Sequence, residues 1–152
     1  MIYTSSHNYC PKNKDTVAIS GNRGQDANYV GQCFPKLAPK LSFWKTWHDN
    51  IGKIDEIENN TFYIKEYYNQ VLSKLSPQEI YEQLDEKVLL CYENNNEFCH
   101  RHIVAKWLEI TLGIYVPEIK LINNEIKEVS RPKYIGNILE CLIDKKEYEF
   151  KK

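Results

Sequence analysis

Two hydrophobic periods run along this chain. The segment Val88-Leu89-Leu90-Cys91 is continuously apolar, which predicts a short strand over 87–91 buried on both faces of a parallel sheet. Downstream, Ile103, Val104, Trp107, Leu108, Thr111 and Leu112 recur at helical spacing and predict a helix over 99–112 with one apolar face. Gly113 stops that helix, and Ile114-Tyr115-Val116-Pro117 leads back to a strand over 116–122. Upstream, Ile2-Tyr3-Thr4-Ser5 and Asp15–Ser20 are strand segments, the second ended by Gly21-Asn22-Arg23-Gly24. Gly31, Pro35 and Pro39 make 25–39 loop-like, with room for one short helical turn. Ser42 is the expected N-cap of a helix from Phe43 through Trp44, Trp47 and Ile51. An amphipathic helix follows over 56–75. Ser76-Pro77-Gln78-Glu79 then combines a cap, a proline at the first helical position and a capping-box glutamate, starting a helix that runs to about Leu84. After 122 come a turn at Asn123-Asn124, a short helix around 135–143 and a charged tail.

Strands alternating with helices predict an α/β protein, here a single three-layer Rossmann-like domain with a short, mostly parallel central sheet flanked by helices. Residues 1–120 form the domain and 121–152 a C-terminal extension packed on it. No repeat or dividing linker interrupts the chain. Its 152 residues, 42% hydrophobic and 27% charged, suit one soluble core. A net charge of -1 does not indicate nucleic acid as a partner. No apolar run approaches the roughly 20 residues that span a bilayer, so no membrane partner is expected. The start, Met1–His7, lacks a basic n-region and an apolar h-region. The expectation is therefore a cytoplasmic protein whose five cysteines are reduced thiols.

The chemistry-bearing residues concentrate after the apolar strand: Cys91, Glu93, then Cys99-His100-Arg101-His102. Open α/β sheets place ligands outside the carboxyl ends of their strands. If a helix starts near Cys99, its unpaired amides and positive dipole end favour anions, Arg101 adds a bidentate donor, and the Cys99 thiolate is favoured. Glu93 is then a general base or an orienting group, and Cys99, or Cys91, a nucleophile. The plainer alternative packs both cysteines as small buried residues and pairs Arg101 with Glu93 or Glu97. A second strand end supplies Gly21, Arg23 and Gly24, without matching any named phosphate loop. Ser5, Ser6 and His7 end the first strand. Convergence of these three ends assigns His100, Arg101, Arg23 and Ser5 to ligand binding.

Metal binding competes with this reading. Cys91, Cys99, His100 and His102 are all zinc-competent, but the spacing matches no familiar finger or ribbon. Adjacent helical residues point in different directions, so Cys99, His100 and His102 are not expected to share an ion. His7 and Cys10 contribute only if the first loop lies nearby. No metal is therefore assigned and no cofactor is named. Trp44, Trp47, Tyr63, Tyr67, Tyr68 and Trp107 are at spacings better explained by core packing than by base stacking.

Val88-Leu89-Leu90-Cys91-Tyr92-Glu93 followed by Phe98-Cys99-His100-Arg101-His102-Ile103-Val104-Ala105-Lys106-Trp107-Leu108 resembles the signature of the domain of unknown function 488 family. That signature is an apolar strand, Cys-x-Glu, a short loop, then Cys-His-Arg and a helix. Ile2–Ser5 and Phe34–Pro39 resemble one branch of the family. The resemblance implies a small cytoplasmic α/β domain of bacteria, archaea or their phages, and implies no particular reaction. His7, Cys10 and the tail beyond about 120 depart from the pattern.

The leading expectation is a small enzyme or binding domain acting on a phosphate-bearing, nucleotide-like ligand, or on a nucleic-acid component. The alternatives are a non-catalytic module with a packed or zinc-holding Cys/His cluster, and a thiol redox sensor using Cys91 and Cys99. The oligomeric state is not legible.

Overall fold

The apolar run forms the middle of the sheet. In the computed structural model, which describes residues 1–10, 15–22 and 24–151, Val88–Cys91 is a strand flanked on both sides by parallel neighbours. The strands are β1 (Tyr3–Ser6), β2 (Thr16–Ala18), β3 (Gln32–Cys33), β4 (Val88–Cys91), β5 (Glu118–Ile122) and β6 (Glu125–Val129), in the order β3-β2-β4-β1-β5-β6. Ser6 pairs with Cys91 and Ala18 with Leu90, so β1, β2 and β4 end together. Among the described strands, β6 alone runs antiparallel to its neighbour. With two parallel partners, β4 has no solvent edge, and an all-apolar strand is what that position requires.

Among the described residues five α-helices complete a single α/β domain: α1 (Leu41–Asp49), α2 (Glu56–Gln70), α3 (Pro77–Leu84), α4 (His100–Leu112) and α5 (Lys133–Lys151). All five feed one core cluster that also takes Ile2, Val17, Ile19 and Leu89. The alternate residues Ala18 and Leu90 form a smaller cluster with Tyr29, flanked by Cys10, Cys33 and Val88. Helix α4 is the most deeply set, burying Ile103, Val104, Ala105, Trp107 and Leu108, and Gly113 ends it in the left-handed region at φ 66°. Ser76 caps α3 by accepting from the Glu79 N–H at 3.3 Å, and Asp55 caps α2 through the Glu58 N–H at 3.0 Å.

Three local features differ from the sequence expectation. Helix α1 starts at Leu41 after an extended Lys40, with no side-chain cap, and Ser42 lies inside its first turn. Leu41 and Ser42 are exposed, so water can meet the unpaired amides there. Strand β3 has only two residues, too few to show a period. Strand β6 follows a two-residue turn in which Asn123 and Asn124 take φ 51° and 65°, the conformation a tight hairpin demands. Its residues are almost all exposed, with no apolar face to betray it. Residues from 121 onward thus add β6 to the same sheet, and α5 buries Ile135, Leu139 and Ile143 in the same core.

Behind the sheet end lies a buried ionic network. Arg101, on the first turn of α4, is fully buried and gives Glu118 a bidentate pair, Nε to Oε1 at 3.1 Å and Nη2 to Oε2 at 2.7 Å. The Thr4 hydroxyl donates to Glu118 Oε1 and accepts from Arg131 Nη2 at 2.8 Å. Removing one partner of such a pair strands the other charge in the interior, at about 3–5 kcal/mol. Glu118→Ala should lower the urea-unfolding free energy by about that amount. The double variant Arg101→Met, Glu118→Leu should lose far less than the two single changes combined. A single-variant loss below about 1 kcal/mol would place the pair in a solvated, dispensable setting.

Candidate functional site

A cavity of about 550 Å³ opens where the parallel strands end. The segment after β2 supplies Ser20, Gly21 and Asn22 to one side. Strand β4 supplies Cys91 and then Tyr92 and Glu93, while Phe98, Cys99 and His100 enter from the start of α4. The facing wall is apolar: Pro39, Leu41, Trp44 and Trp47 from the α1 region and Tyr63 from α2. The Trp47 ring meets Tyr63 edge-on at 5.2 Å and lies 5.6 Å from Phe98. Hydrogen bonds hold the strand ends in place. The His7 N–H reaches Cys91 O at 2.9 Å, and the Ser6 hydroxyl reaches Tyr92 O at 2.9 Å. Tyr92 Oη donates to Asn22 Oδ1 at 2.6 Å and accepts from the Asp26 N–H at 3.1 Å, tying the β2 and β4 loops together.

At the floor, one ligand-capable atom from each of Cys91, Cys99 and His100 lies within 4.8 Å of the others. Cys91 Sγ is 3.5 Å from His100 Nδ1 and 3.7 Å from Glu93 Oε2. His100 Nε2 is 2.8 Å from Ile19 O. A carbonyl only accepts, so this contact puts the proton of a neutral imidazole on Nε2 and leaves the Nδ1 lone pair facing the sulfur. Burial is the main cause that pushes the Glu93 carboxyl up to about 7. That carboxyl can give as well as take a proton near neutrality. Burial likewise pushes the Cys99 thiol up to about 12, helped by its contact with Cys91, although Arg101 and His100 pull the other way. The resting form of Cys99 is therefore the thiol, against the expectation of a thiolate at a helix start.

Cys91, Glu93, Cys99 and His100 are thus brought together, and Arg101 and Ser5 are not. Arg101 turns away from the cleft to Glu118, which corrects the expectation that it binds an anion there and the alternative that it pairs with Glu93 or Glu97. Burial alone would lower its guanidinium, but its anionic surroundings, the hydrogen-bonded Glu118 among them, outweigh this and raise it. Ser5 is fully buried and donates to Ile119 O at 2.6 Å, a tie between β1 and β5. Arg23 lies outside the described residues. His102, one turn position beyond Arg101, stands 4.0 Å from Glu118 Oε1, away from the sulfur cluster. His7 packs its ring against Tyr29 and Tyr92. The expected divergence of Cys99 and His100 fails because Cys99 is not helical. It is the N-cap, extended at φ -158° and ψ 143°, so helical spacing does not govern where its sulfur points.

The family model described as "Active DUF488-N3 subclade" matches residues 12–111, well over half of the chain. The chain belongs to the DUF488 family. The match includes Cys91, Glu93, Cys99, His100 and Arg101, whereas Glu118, the partner of Arg101, lies beyond it. Comparison with curated proteins and with solved structures yields no match. No helix among the described residues of this DUF488 protein is long and apolar enough to cross a membrane.

Sequence reasoning placed Trp44, Trp47 and Tyr63 in the core. Tyr63 is there, but all three also line the cleft, and Trp44 is 37% exposed. Core and wall share one helical face here, so spacing alone does not separate them. Asn22 and Tyr92 fall within the flagged strand ends without being assigned a role, and Asp26 and Glu118 carried no local signal.

Burial, with the charges of Arg101 and Arg131, holds His102 of the DUF488 domain well below the usual histidine range. Its folded form stays neutral while the unfolded chain protonates near pH 6.5. The unfolded state then binds more protons, so this stability is present above about pH 6.5 and is lost as pH falls below it, at up to about 1.4 kcal/mol per unit. His102→Gln should flatten the fall in urea midpoint between about pH 6.5 and 5. An unchanged slope would show that His102 charges freely in the folded protein.

Proposed function

We propose that this DUF488 domain is an enzyme that holds a planar, nucleoside-like ring in the cleft and moves a proton with Glu93. One observation carries the reading: the Glu93 carboxyl lines the same cavity as the indoles of Trp44 and Trp47 on the facing wall, with Phe98 beside them. Aromatic walls recognise flat heterocycles by stacking, and a carboxyl within reach of the bound ring supplies general acid–base chemistry. The family description, an active subclade, favours catalysis over a passive module. The cavity volume suits a small ligand of that size.

The charge of the lining refines the expected nucleotide-like ligand. Asp26 and Glu93 line the cleft, and no lysine or arginine does among the described residues. The start of α4 is the anion-favouring element that remains. Recognition therefore centres on the ring, with any phosphate a minor contributor. Glu93 takes the role of general acid or base. Cys99, resting as a thiol, is a poor nucleophile without a further partner.

Nucleosides and nucleoside monophosphates titrated against tryptophan fluorescence test this directly, because Trp44 and Trp47 line the cavity while Trp107 is buried in the core. A member of the panel should quench the emission. Trp44→Ala should weaken its binding by about tenfold or more, in line with roughly 1–3 kcal/mol per stacked base. Glu93→Gln should keep that binding and slow turnover of the bound compound by about a hundredfold or more. Absence of quenching by every nucleoside at millimolar concentration, or binding unaffected by Trp44→Ala, would overturn the reading.

A further inference from the structure

We infer that Cys91, Cys99 and His100 form a three-ligand site for a divalent ion of the zinc class, with its fourth position open to the cleft. The inference stands on the donor atoms themselves and does not depend on what the aromatic wall binds.

The distances fit. Zinc takes thiolate at about 2.3 Å and imidazole at about 2.0 Å in a tetrahedron, which sets a sulfur and a nitrogen on one ion about 3.6 Å apart. Cys91 Sγ and His100 Nδ1 are 3.5 Å apart. The third donor, on Cys99, lies in the same 4.8 Å group. The donor chemistry fits too. Two thiolates and one imidazole select a borderline-soft ion, and three protein ligands with one open position is the usual form of a reactive zinc site.

Outer contacts support the same assignment. A metal-bound histidine normally gives its other ring N–H to a carbonyl, which fixes the tautomer and aims the free lone pair at the ion. His100 Nε2 has that partner in Ile19 O at 2.8 Å. Charge balance also permits occupancy. The three residues are each at most 5% exposed, and two thiolates, a neutral imidazole and a divalent cation sum to zero, so no net charge is buried. The fixed positive charge of Arg101 favours the ionised form of Cys99. Metal uptake would release the thiol protons, one ion replacing two protons. Glu93 Oε2, 3.7 Å from Cys91 Sγ, lies outside the ligand group but beside it. It is placed to exchange a proton with whatever occupies the open position.

Cobalt(II) titration of the full-length, reduced, metal-depleted protein tests this. One equivalent should bind, with the strong visible bands of a tetrahedral ion and a sulfur-to-cobalt charge-transfer band, and zinc(II) should displace it. Cys99→Ser, Cys91→Ser and His100→Gln should each weaken cobalt binding by about a hundredfold or more. Glu93→Gln should leave it intact even where turnover is lost, which separates this inference from the acid–base reading. Should a cysteine variant fail to fold, X-ray absorption on the zinc-loaded wild-type protein decides, two sulfurs and one nitrogen being expected from the chain. Six-coordinate cobalt without a charge-transfer band, binding unaltered by Cys99→Ser, or an all-oxygen and nitrogen shell would overturn the site.

Discussion

The cleft depends on a charge it never touches. Arg101 is buried in the first turn of α4 and locked to Glu118 at the start of β5, with Thr4 of β1 and Arg131 ahead of α5 completing the set. A guanidinium removed from water without its partner costs several kcal/mol, so the first turn of α4 cannot rotate or slide without losing that pairing. Cys99 and His100 are the residues immediately before Arg101. Their placement over the end of β4 follows from where the guanidinium must sit. The pair also joins elements far apart in sequence, since Thr4 and Arg131 lie 127 residues apart.

A second set of buried polar contacts fixes the opposite wall. Trp47 donates from Nε1 to Asn60 Oδ1 at 2.9 Å, Asn59 donates to Trp47 O at 2.9 Å, and Asn60 donates to Tyr134 Oη at 2.9 Å. Helix α1 is therefore tied to α2 and through it to α5, which buried amides require because unpaired ones are costly. Trp44, by contrast, is partly exposed and stacks on His48 at 4.8 Å. The cavity thus joins a floor and a wall, each held by hydrogen bonds, to a lip formed by Leu41 and Trp44. This is the division a ligand site needs between fixed chemistry and access.

Much of the fold was legible because its signals are local. The run Val88–Cys91, the cap at Ser76 and Pro77, and the stop at Gly113 each state their role within a few residues. What stayed hidden is non-local or featureless. β3 is two residues long, β6 lacks a buried face, and α1 begins without a cap. At the site, the Cys-x-Glu and Cys-His pattern located the floor. The assignment of Arg101 failed because an arginine at a helix start looks the same whether it faces a ligand or a carboxylate that lies 17 residues ahead. Only the tertiary pairing with Glu118 distinguishes the two. The walls escaped for a related reason, since an aromatic at core spacing can line a cavity on the same face.

Cys99 shows where a local rule is broken and what that break implies. The N-cap position strongly favours Ser, Thr, Asn or Asp, whose oxygen accepts an orphan amide, and losing such a cap costs about 0.5–2 kcal/mol. Here the position holds a cysteine that makes no cap hydrogen bond. Its sulfur is instead gathered with Cys91 and His100. The extended backbone that any N-cap adopts is what permits this, because it releases the side chain from helical spacing while the next residue, His100, starts the helix proper. A helix start with an oxygen cap would be more stable, and this one forgoes that gain to bring a third donor to the cluster. Departures from local preference are expected where function is the constraint, and the departure at Cys99 falls at the floor of the cleft.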